Sequence, residues 1–299
     1  MLDLDAPPAP WVAPGEPFWV ETNDAHRGTI TDASVVHASL EDTLARLGGA
    51  NPVGGPIAIE GAEPGGCLRI HVEEIVPAPR RGAGYTCTTA RVDERLVPET
   101  VICALRDGAV ALPTARGELA VPFRPMIGTL GVAPAGEARP SFQQGVDVLG
   151  NVDLPELTTG ATVVLPVHRP GGLLYVGDAH LAQGHAEIHR AAVEAEADVR
   201  LRVELVSREE AGYGALPQLD DAASLGCVSC GPAHLEDQVR AAYRDLAERL
   251  VQGFGLSLAD AWRLLGAAGR VTVGQVVPPL ASVRASIARS LLPAPHRRP

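Results

Sequence analysis

Residues 177–189, GDAHLAQGHAEIH, carry the side chains of this sequence that are best suited to hydrolytic chemistry. Asp178 and His180 are two residues apart, so an extended chain directs both to the same side. His185 and Glu187 repeat that spacing after a glycine. Carboxylate and imidazole groups bind zinc and similar cations, and a carboxylate that is not a ligand can carry a proton. The spacing indicates a metal or acid–base site; a solvated polar turn is the alternative interpretation.

The elements that would position these side chains are short strands. The apolar run Leu173–Val176 predicts a strand that leads into the stretch, and Val199–Val206 alternates like a strand with one exposed face. Similar runs, separated by turn residues, recur through residues 18–206. The pattern predicts an α+β, β-rich fold whose core of many short strands is barrel-like or sandwich-like, of the swiss-roll type. The sequence has no G-x-G-x-x-G after a strand and no G-x-S-x-G, which excludes a Rossmann domain and a nucleophile elbow.

The C-terminal third has a different pattern, which predicts two helices. Apolar residues recur at helical spacing over Val239–Leu250. Ser257 and Asp260 have the spacing of a capping box for a second helix. Val271–Val277 predicts a final strand, and residues 207–236 have no clear period, which predicts irregular structure.

One domain is predicted for most of the chain. Residues 1–17 contain five prolines and are predicted to form an irregular N-terminal arm. Residues 18–299 are predicted to form the single domain, with the β-rich core over 18–206 and the helices and final strand over 207–299. A chain of 299 residues is long enough for one large domain with a substantial core.

Composition excludes several classes of function. The net charge of −11 argues against nucleic acid or an anionic membrane as a partner, since both require a basic surface. No apolar run is long enough to span a bilayer, and the N-terminus lacks the features of a signal peptide, which predicts a cytoplasmic protein. All 25 basic residues are arginine, and the absence of lysine excludes Schiff-base enzymes and Walker-A phosphate loops.

Several short motifs together resemble the acetamidase/formamidase family, and they occur in the family's order over most of the chain. The matching segments are Gly55–Ile57, Glu60–Gly65, Pro125–Gly128, Gly131–Pro134, Gly150–Asp153, Leu165–Val167, Gly177–His180, Gln183–Gly184 with Glu187, Gly255–Ser257 and Gln275–Val277. The resemblance implies hydrolysis of small linear carboxamides, such as formamide or acetamide, to carboxylate and ammonia. It also implies a β-rich α+β fold, a homo-oligomer and a bound divalent metal, for which we expect zinc, with calcium as the alternative.

The resemblance supports a site at Asp178, His180 and Glu187. In our hypothesis a metal-bound water attacks the amide, and Glu187 takes the proton of this water and passes it to the leaving ammonia. The assigned roles are catalytic for Glu187, Asp178 and His180, substrate-binding for Asn151, Asp153 and Gln183, and metal-binding for Asp24, Asp178, His180 and His185.

Two departures from the family pattern bear on activity. The family usually has aspartate at the position of Gly66, and Gly-Asp-Gly-Glu at residues 184–187, where this chain has Gly-His-Ala-Glu. Exchange of a carboxylate for the imidazole of His185 favours a cation that prefers nitrogen ligands. A different substrate or a loss of activity is the other interpretation. Ala186 replaces a glycine and narrows the backbone conformations available there.

The residues also allow two alternatives to hydrolysis of a small amide. Cys227 and Cys230 have C-x-x-C spacing, which is found in zinc and thiol sites. The other three cysteines, in apolar segments, are most simply core residues. The second rival keeps the fold but acts on a larger amide or binds a ligand without hydrolysing it.

Overall fold

Two open β-sheets make up most of the chain in the computed structural model, which describes residues 10–77, 83–89, 93–277 and 280–295. The strands of the described residues are β1 (Trp11–Val12), β2 (Pro17–Thr22), β3 (Val53–Ile59), β4 (Cys67–Pro77), β5 (Ala83–Thr88), β6 (Glu99–Arg106), β7 (Ala109–Thr114), β8 (Gly117–Pro122), β9 (Met126–Gly131), β10 (Gln144–Gly145), β11 (Leu149–Asn151), β12 (Thr162–Pro166), β13 (Leu174–Ala182), β14 (Val193–Ala195), β15 (Ala197–Val206), β16 (Gln218–Asp220), β17 (Ser224–Gly231), β18 (Arg270–Val273) and β19 (Ala281–Ala288). The helices are α1 (Leu40–Leu47), α2 (Arg208–Ala211), α3 (Leu235–Phe254) and α4 (Leu258–Ala268), with 3₁₀ turns at His185–Glu187 and Arg289–Leu291.

The larger sheet has eleven strands in the order β10-β11-β9-β13-β14-β5-β6-β7-β8, with β3 also paired to β13 and β1 to β3. The smaller has eight, in the order β18-β19-β17-β16-β12-β4-β15-β2. The main apolar core contains side chains of both sheets, among them Ile127 and Leu174 of the larger and Ile70 and Leu201 of the smaller. The sheets therefore pack face to face, as in the sandwich form of the prediction, and neither closes into a barrel among the described strands. The swiss-roll arrangement stays a prediction.

The two predicted C-terminal helices are confirmed. Gly255 ends α3 with a left-handed φ of 68°, and the Ser257 hydroxyl accepts a hydrogen bond from the Asp260 N–H at the start of α4. Their apolar faces pack on β17 and β19 around Leu246 and Leu265, in a second core. None of the described helices combines the length and the hydrophobicity that crossing a membrane requires.

The prediction of irregular structure over residues 207–236 is wrong, because this segment contains α2, β16 and β17. The residues of β17 are small and almost all buried, so the strand lacks the polar alternation that marks a half-exposed strand. β19 was missed for the same reason: the predicted final strand Val271–Val277 overlaps only β18, and β19 follows it. Pro278, Pro279, residues 1–9 and residues 296–299 lie outside the described residues, and Trp11–Val12 of the predicted irregular arm forms β1.

Candidate active site

The strand β13 places Asp178 and His180 in the interior of the larger sheet. It lies between β9 on one side and β3 and β14 on the other, and its nine residues are buried. Asp178 has a left-handed φ of 58°, and it falls opposite Gly128 of β9, between the pairs 177–129 and 179–127. A Cβ atom at Gly128 would lie 2.7 Å from Asp178 Oδ2 and would collide with Asp153 Oδ1. This glycine therefore leaves the space that both carboxylates occupy.

Side-chain amides of neighbouring residues fix the two aspartates. Asn51 Nδ2 donates to Asp178 Oδ2 at 2.7 Å. Asn151 Nδ2 and Gln275 Nε2 both donate to Asp153 Oδ2, each at 2.7 Å. Asp153 Oδ1, by contrast, is buried without a hydrogen-bond partner among the described residues. One oxygen of Asp153 is thus held by the protein, and the other is left for a further ligand.

His180 is oriented by Gln183. Gln183 Nε2 donates to the backbone oxygen of Asp153 at 2.6 Å, so its Oε1 faces His180 Nδ1, 2.9 Å away, as an acceptor. This fixes Nδ1 as the protonated nitrogen and directs Nε2 toward Asp178 Oδ1 at 3.6 Å and Glu194 Oε2 at 3.3 Å. Metal-binding histidines usually have such a hydrogen-bond partner on the other ring nitrogen, which fixes the orientation of the ring.

Two further carboxylates complete the group. Glu194 of β14 accepts from the Ala192 N–H at 3.1 Å through Oε1, while its Oε2 is buried and makes no hydrogen bond to any residue that the structure describes. Glu187 is partly exposed as a residue. Its carboxyl lies with the side chains of His180 and Glu194, and possible ligand atoms of these three residues are within 4.8 Å of one another. The same holds for Asp153, Asp178 and His180. We call these five residues the carboxylate–histidine cluster.

The cluster concentrates negative charge away from water. Burial, then the charge of Asp178, raises the pKa of Asp153 to about 8. Burial, then Asp153, raises the pKa of Glu187 well above its usual value, and burial raises that of Glu194. Burial alone would lower the pKa of His180, but the charges of Glu194 and Asp178 outweigh it and raise that pKa well above the usual value. The cluster therefore attracts positive charge, which a proton on His180 or a divalent cation supplies.

A cavity of about 190 Å³ opens on this cluster. Its polar end contains Asp178, Glu187 and Glu194, with Asn51, Asn151 and Gln275 beside them. The apolar part of its wall is formed by Ala25, Leu40, Ala50, Phe142, Val277 and Leu280. A small molecule with one polar end and one apolar end fits a cavity lined in this way.

Of the residues predicted to form the site, Asp153, Asp178, His180 and Glu187 come together, with Asn151 and Gln183 bonded to them. Asp24 does not join them: its carboxylate accepts from the backbone N–H groups of His26 and Gly28, at 2.8 and 3.1 Å through Oδ1. The predicted metal ligand His185 is exposed on the 3₁₀ turn. The structure thus leaves both predicted ligands out of the cluster.

Sequence reasoning missed Glu194, Asn51 and Gln275 as members of the site. Glu194 alternates with Glu196 and Asp198 along the chain, a pattern that resembles a solvated strand face. Asn51 precedes a Pro and Gly-rich turn. Its left-handed φ of 47° is visible only in the structure.

The cysteine pair has no shared site. Cys227 and Cys230 lie three apart in β17, so their side chains point to opposite faces, and they belong to different cores. Burial raises the pKa of the Cys230 thiol to about 12 and raises that of Cys227 still further above its usual value. Such thiols are poor metal ligands and poor nucleophiles.

Ala186 has a left-handed φ of 72°, a conformation that costs an alanine about 1 kcal/mol relative to glycine. We expect Ala186→Gly to stabilise the protein by up to about 1 kcal/mol, measured by urea denaturation. The matched control is Ala267→Gly on the exposed face of α4, which should destabilise by about 1 kcal/mol. A loss of stability in Ala186→Gly would show that the turn is not strained.

Residues 3–147 and 142–268 match the sequence profile of the acetamidase/formamidase family. An acetamidase of Mycolicibacterium smegmatis is 25% identical over 273 residues, covering 70% of this chain and 66% of that protein, so the chain spans just under two thirds of this relative. The crystal structure of an acetamidase from Bacillus halodurans superposes with a TM-score of 0.86 at 29% identity, over 97% of this chain and 94% of that one. An acetamidase from Yersinia enterocolitica gives 0.85 at 30% identity, over 96% and 87%.

Proposed function

The chain belongs to the acetamidase/formamidase family, and on that premise we propose that it hydrolyses the C–N bond of a small linear carboxamide, of the formamide or acetamide type, with a divalent cation bound in the carboxylate–histidine cluster. The observation that carries the proposal is a set of three buried atoms that make no hydrogen bond within the described part of the chain: Asp153 Oδ1, His180 Nε2 and Glu194 Oε2. The last two lie 3.3 Å apart as an ion pair. All three belong to the cluster at the polar end of the cavity. Buried polar atoms are normally hydrogen-bonded, so a bound cation is the simplest partner for Asp153 Oδ1. For His180 Nε2 and Glu194 Oε2, a cation replaces the proton that their ion pair requires.

The donor set fits a cation. Asp153, Asp178 and His180 have carboxylate oxygens and one imidazole nitrogen within 4.8 Å of one another, a combination that suits zinc. Glu194, which groups with His180 and Glu187, adds a further carboxylate, and the number of carboxylates also suits calcium. Asp24 and His185 are left out of this proposed set because they lie outside the cluster. When bound, the cation would polarise the amide carbonyl and acidify a water.

Glu187 is the proposed proton carrier. Its side chain lines the cavity and lies next to the carboxyl of Asp153. As a carboxylate it takes a proton from the attacking water, whose oxygen forms the new C–O bond; it then returns the proton to nitrogen as the C–N bond breaks and ammonia leaves. Asn151 and Gln183, predicted to bind substrate, are here positioning residues for Asp153 and His180.

Ammonia release tests the proposal directly. Formamide, acetamide and longer linear amides should release ammonia with the purified protein, and a chelator should abolish the release until zinc or calcium is restored. Cys227→Ser with Cys230→Ser should keep its metal, because those thiols lie outside the cluster. A metal-bound protein that releases no ammonia from any amide would favour the non-catalytic alternative, and metal loss in the cysteine variant would favour the thiol site.

Cation binding should displace protons. In the folded protein without a cation, the pKa of Asp153 is about 8, against 3.8 for an ordinary aspartate. A folded pKa above the unfolded one means that the ionised group destabilises the fold, so this contribution weakens the protein as pH rises between those two values. A bound cation replaces the proton of Asp153 and removes this loss of stability. We therefore expect zinc to raise Tm more at pH 8 than at pH 5.5 by scanning calorimetry; an equal or smaller rise at pH 8 would contradict the assignment.

A further inference from the structure

A second polar chain borders the cavity beside the carboxylate–histidine cluster. It consists of Asp24, Tyr85 and His26, and Tyr85 lies on β5 directly opposite Glu194 of β14. The Tyr85 hydroxyl is 3.1 Å from Asp24 Oδ1 and 2.7 Å from His26 Nδ1. His26 forms part of the cavity wall.

The protons of this chain can be assigned. Asp24 Oδ1 already accepts from two backbone N–H groups, so its carboxylate is an acceptor. Its contact with the phenol oxygen requires the single hydroxyl proton of Tyr85 to lie between them. The oxygen of Tyr85 then accepts from His26, so that Nδ1 of His26 carries the proton and Nε2 has a free lone pair.

The surroundings keep His26 neutral. Burial lowers its pKa to about 4, with further lowering by His37, whose ring centre is 4.7 Å away, and by Arg190. The charge of Asp178 acts against these effects and raises the pKa of His26. An uncharged imidazole at this position is an acceptor at the pH at which most enzymes work, and it carries no charge that would compete with a cation in the cluster.

We propose that His26 binds the nitrogen of the substrate: its unprotonated Nε2 accepts a hydrogen bond from the N–H of a primary carboxamide, and the contacts with Asp24 and Tyr85 hold it in that tautomer. The inference rests on the proposed amidase function. It adds an uncharged acceptor on the cavity wall, separate from the carboxylates proposed to hold the cation and from Glu187, which is proposed to move the proton. The site then distinguishes a carboxamide, which has N–H donors, from a carboxylate or an ester, which has none.

Two variants of His26 separate substrate binding from a structural role. The side-chain amide of His26→Asn reaches the position of Nδ1, so it keeps the contact with Tyr85 and loses the acceptor at Nε2. His26→Gln reaches the position of Nε2 and keeps an acceptor there, while it loses the contact with Tyr85. We expect KM for acetamide to rise about tenfold to a hundredfold in His26→Asn, with kcat within about threefold, and to rise less than tenfold in His26→Gln.

A tyrosine variant tests the contact that holds His26, and a second tyrosine variant is its matched control. Tyr85→Phe removes the group that fixes the tautomer, so KM should rise severalfold with kcat nearly unchanged. Tyr213, in a separate core, has a buried hydroxyl without a hydrogen-bond partner in the described part of the chain, so Tyr213→Phe should leave KM and kcat unchanged. Thermal melting of all four variants shows whether the fold is retained.

The opposite order of KM for the two His26 variants overturns the inference. If ammonia is released and His26→Asn keeps the wild-type KM, or if His26→Gln is the more impaired variant, His26 has only a structural role and the amidase function stands. If the wild type releases no ammonia, the proposed function fails, and NMR titration with acetamide decides the inference. Weaker binding to His26→Asn than to His26→Gln would support the contact, and equal binding to both would overturn it.

Discussion

Glu187→Gln should lose between about a hundredfold and ten-thousandfold in kcat for acetamide hydrolysis while it retains its metal. Glutamine keeps the size and polarity of glutamate but cannot take a proton from water. The carboxyl of Glu187 lies with His180 and Glu194, close enough to receive a proton from a molecule bound at that end of the cavity. Burial and the charge of Asp153 raise its pKa, which makes it a stronger base than a surface glutamate once it is ionised.

Metal analysis separates the two roles that Glu187 can have. A variant without activity but with wild-type metal content identifies a proton carrier. Joint loss of metal and activity would make Glu187 a ligand instead, and unchanged ammonia release would remove it from the mechanism. Glu118→Gln is the control for loss of a carboxylate, because Glu118 is exposed and paired with Arg106 on β6; it should keep full activity.

The part of the site that could be predicted is the part that depends on the spacing of residues close together in the sequence. Asp178 and His180 are two residues apart, and the apolar run before them is visible as a strand, so the sequence alone places them on one side of a buried element. Glu187 follows after a short turn and stays close to them for the same local reason. The two C-terminal helices were predictable because helical period and capping residues are also local signals.

What could not be predicted depends on pairing between distant segments. Glu194 reaches His180 because β14 pairs with β13, and that register is set by the fold as a whole. Gln275 reaches Asp153 from a segment more than a hundred residues away. His185 was included among the ligands from its position in the motif, but a 3₁₀ turn replaces the extended chain there and leaves it exposed. Asp24 was included because the family resemblance places it near the site, but its carboxylate accepts from backbone N–H groups of its own loop.

Backbone conformation is a further reason for incomplete prediction. Asn51, Asp153, Asp178 and Glu187 all have left-handed φ values, between 41° and 58°. Asparagine and aspartate tolerate this region better than most residues, but neither type reveals from sequence alone that it adopts it. Their concentration at one site indicates that the surrounding fold maintains a strained arrangement of polar groups, as is common where ligands bind.

Gly128→Ala should abolish activity and metal binding although it adds only a methyl group. The added Cβ would lie 2.7 Å from Asp178 Oδ2 and would also collide with Asp153 Oδ1, so at least one of the two carboxylates must move. Both are held by short hydrogen bonds, from Asn51 to Asp178 and from Gln275 to Asp153, and both belong to the cluster. We expect a loss of more than about a hundredfold in kcat/KM, since small displacements of catalytic groups have effects of that size.

Stability and metal content show whether the loss comes from the cluster. Overpacking at Gly128 should cost about 1–3 kcal/mol in urea denaturation, which leaves the protein folded at 25 °C, so an inactive and metal-free but folded variant is the expected result. The control is Gly136→Ala, where the added Cβ has no atom within 4 Å and activity should be unchanged. Wild-type activity in Gly128→Ala would mean that β9 and β13 can separate without disturbing the aspartates, and the reaction would then not depend on the close approach of Asp153 and Asp178.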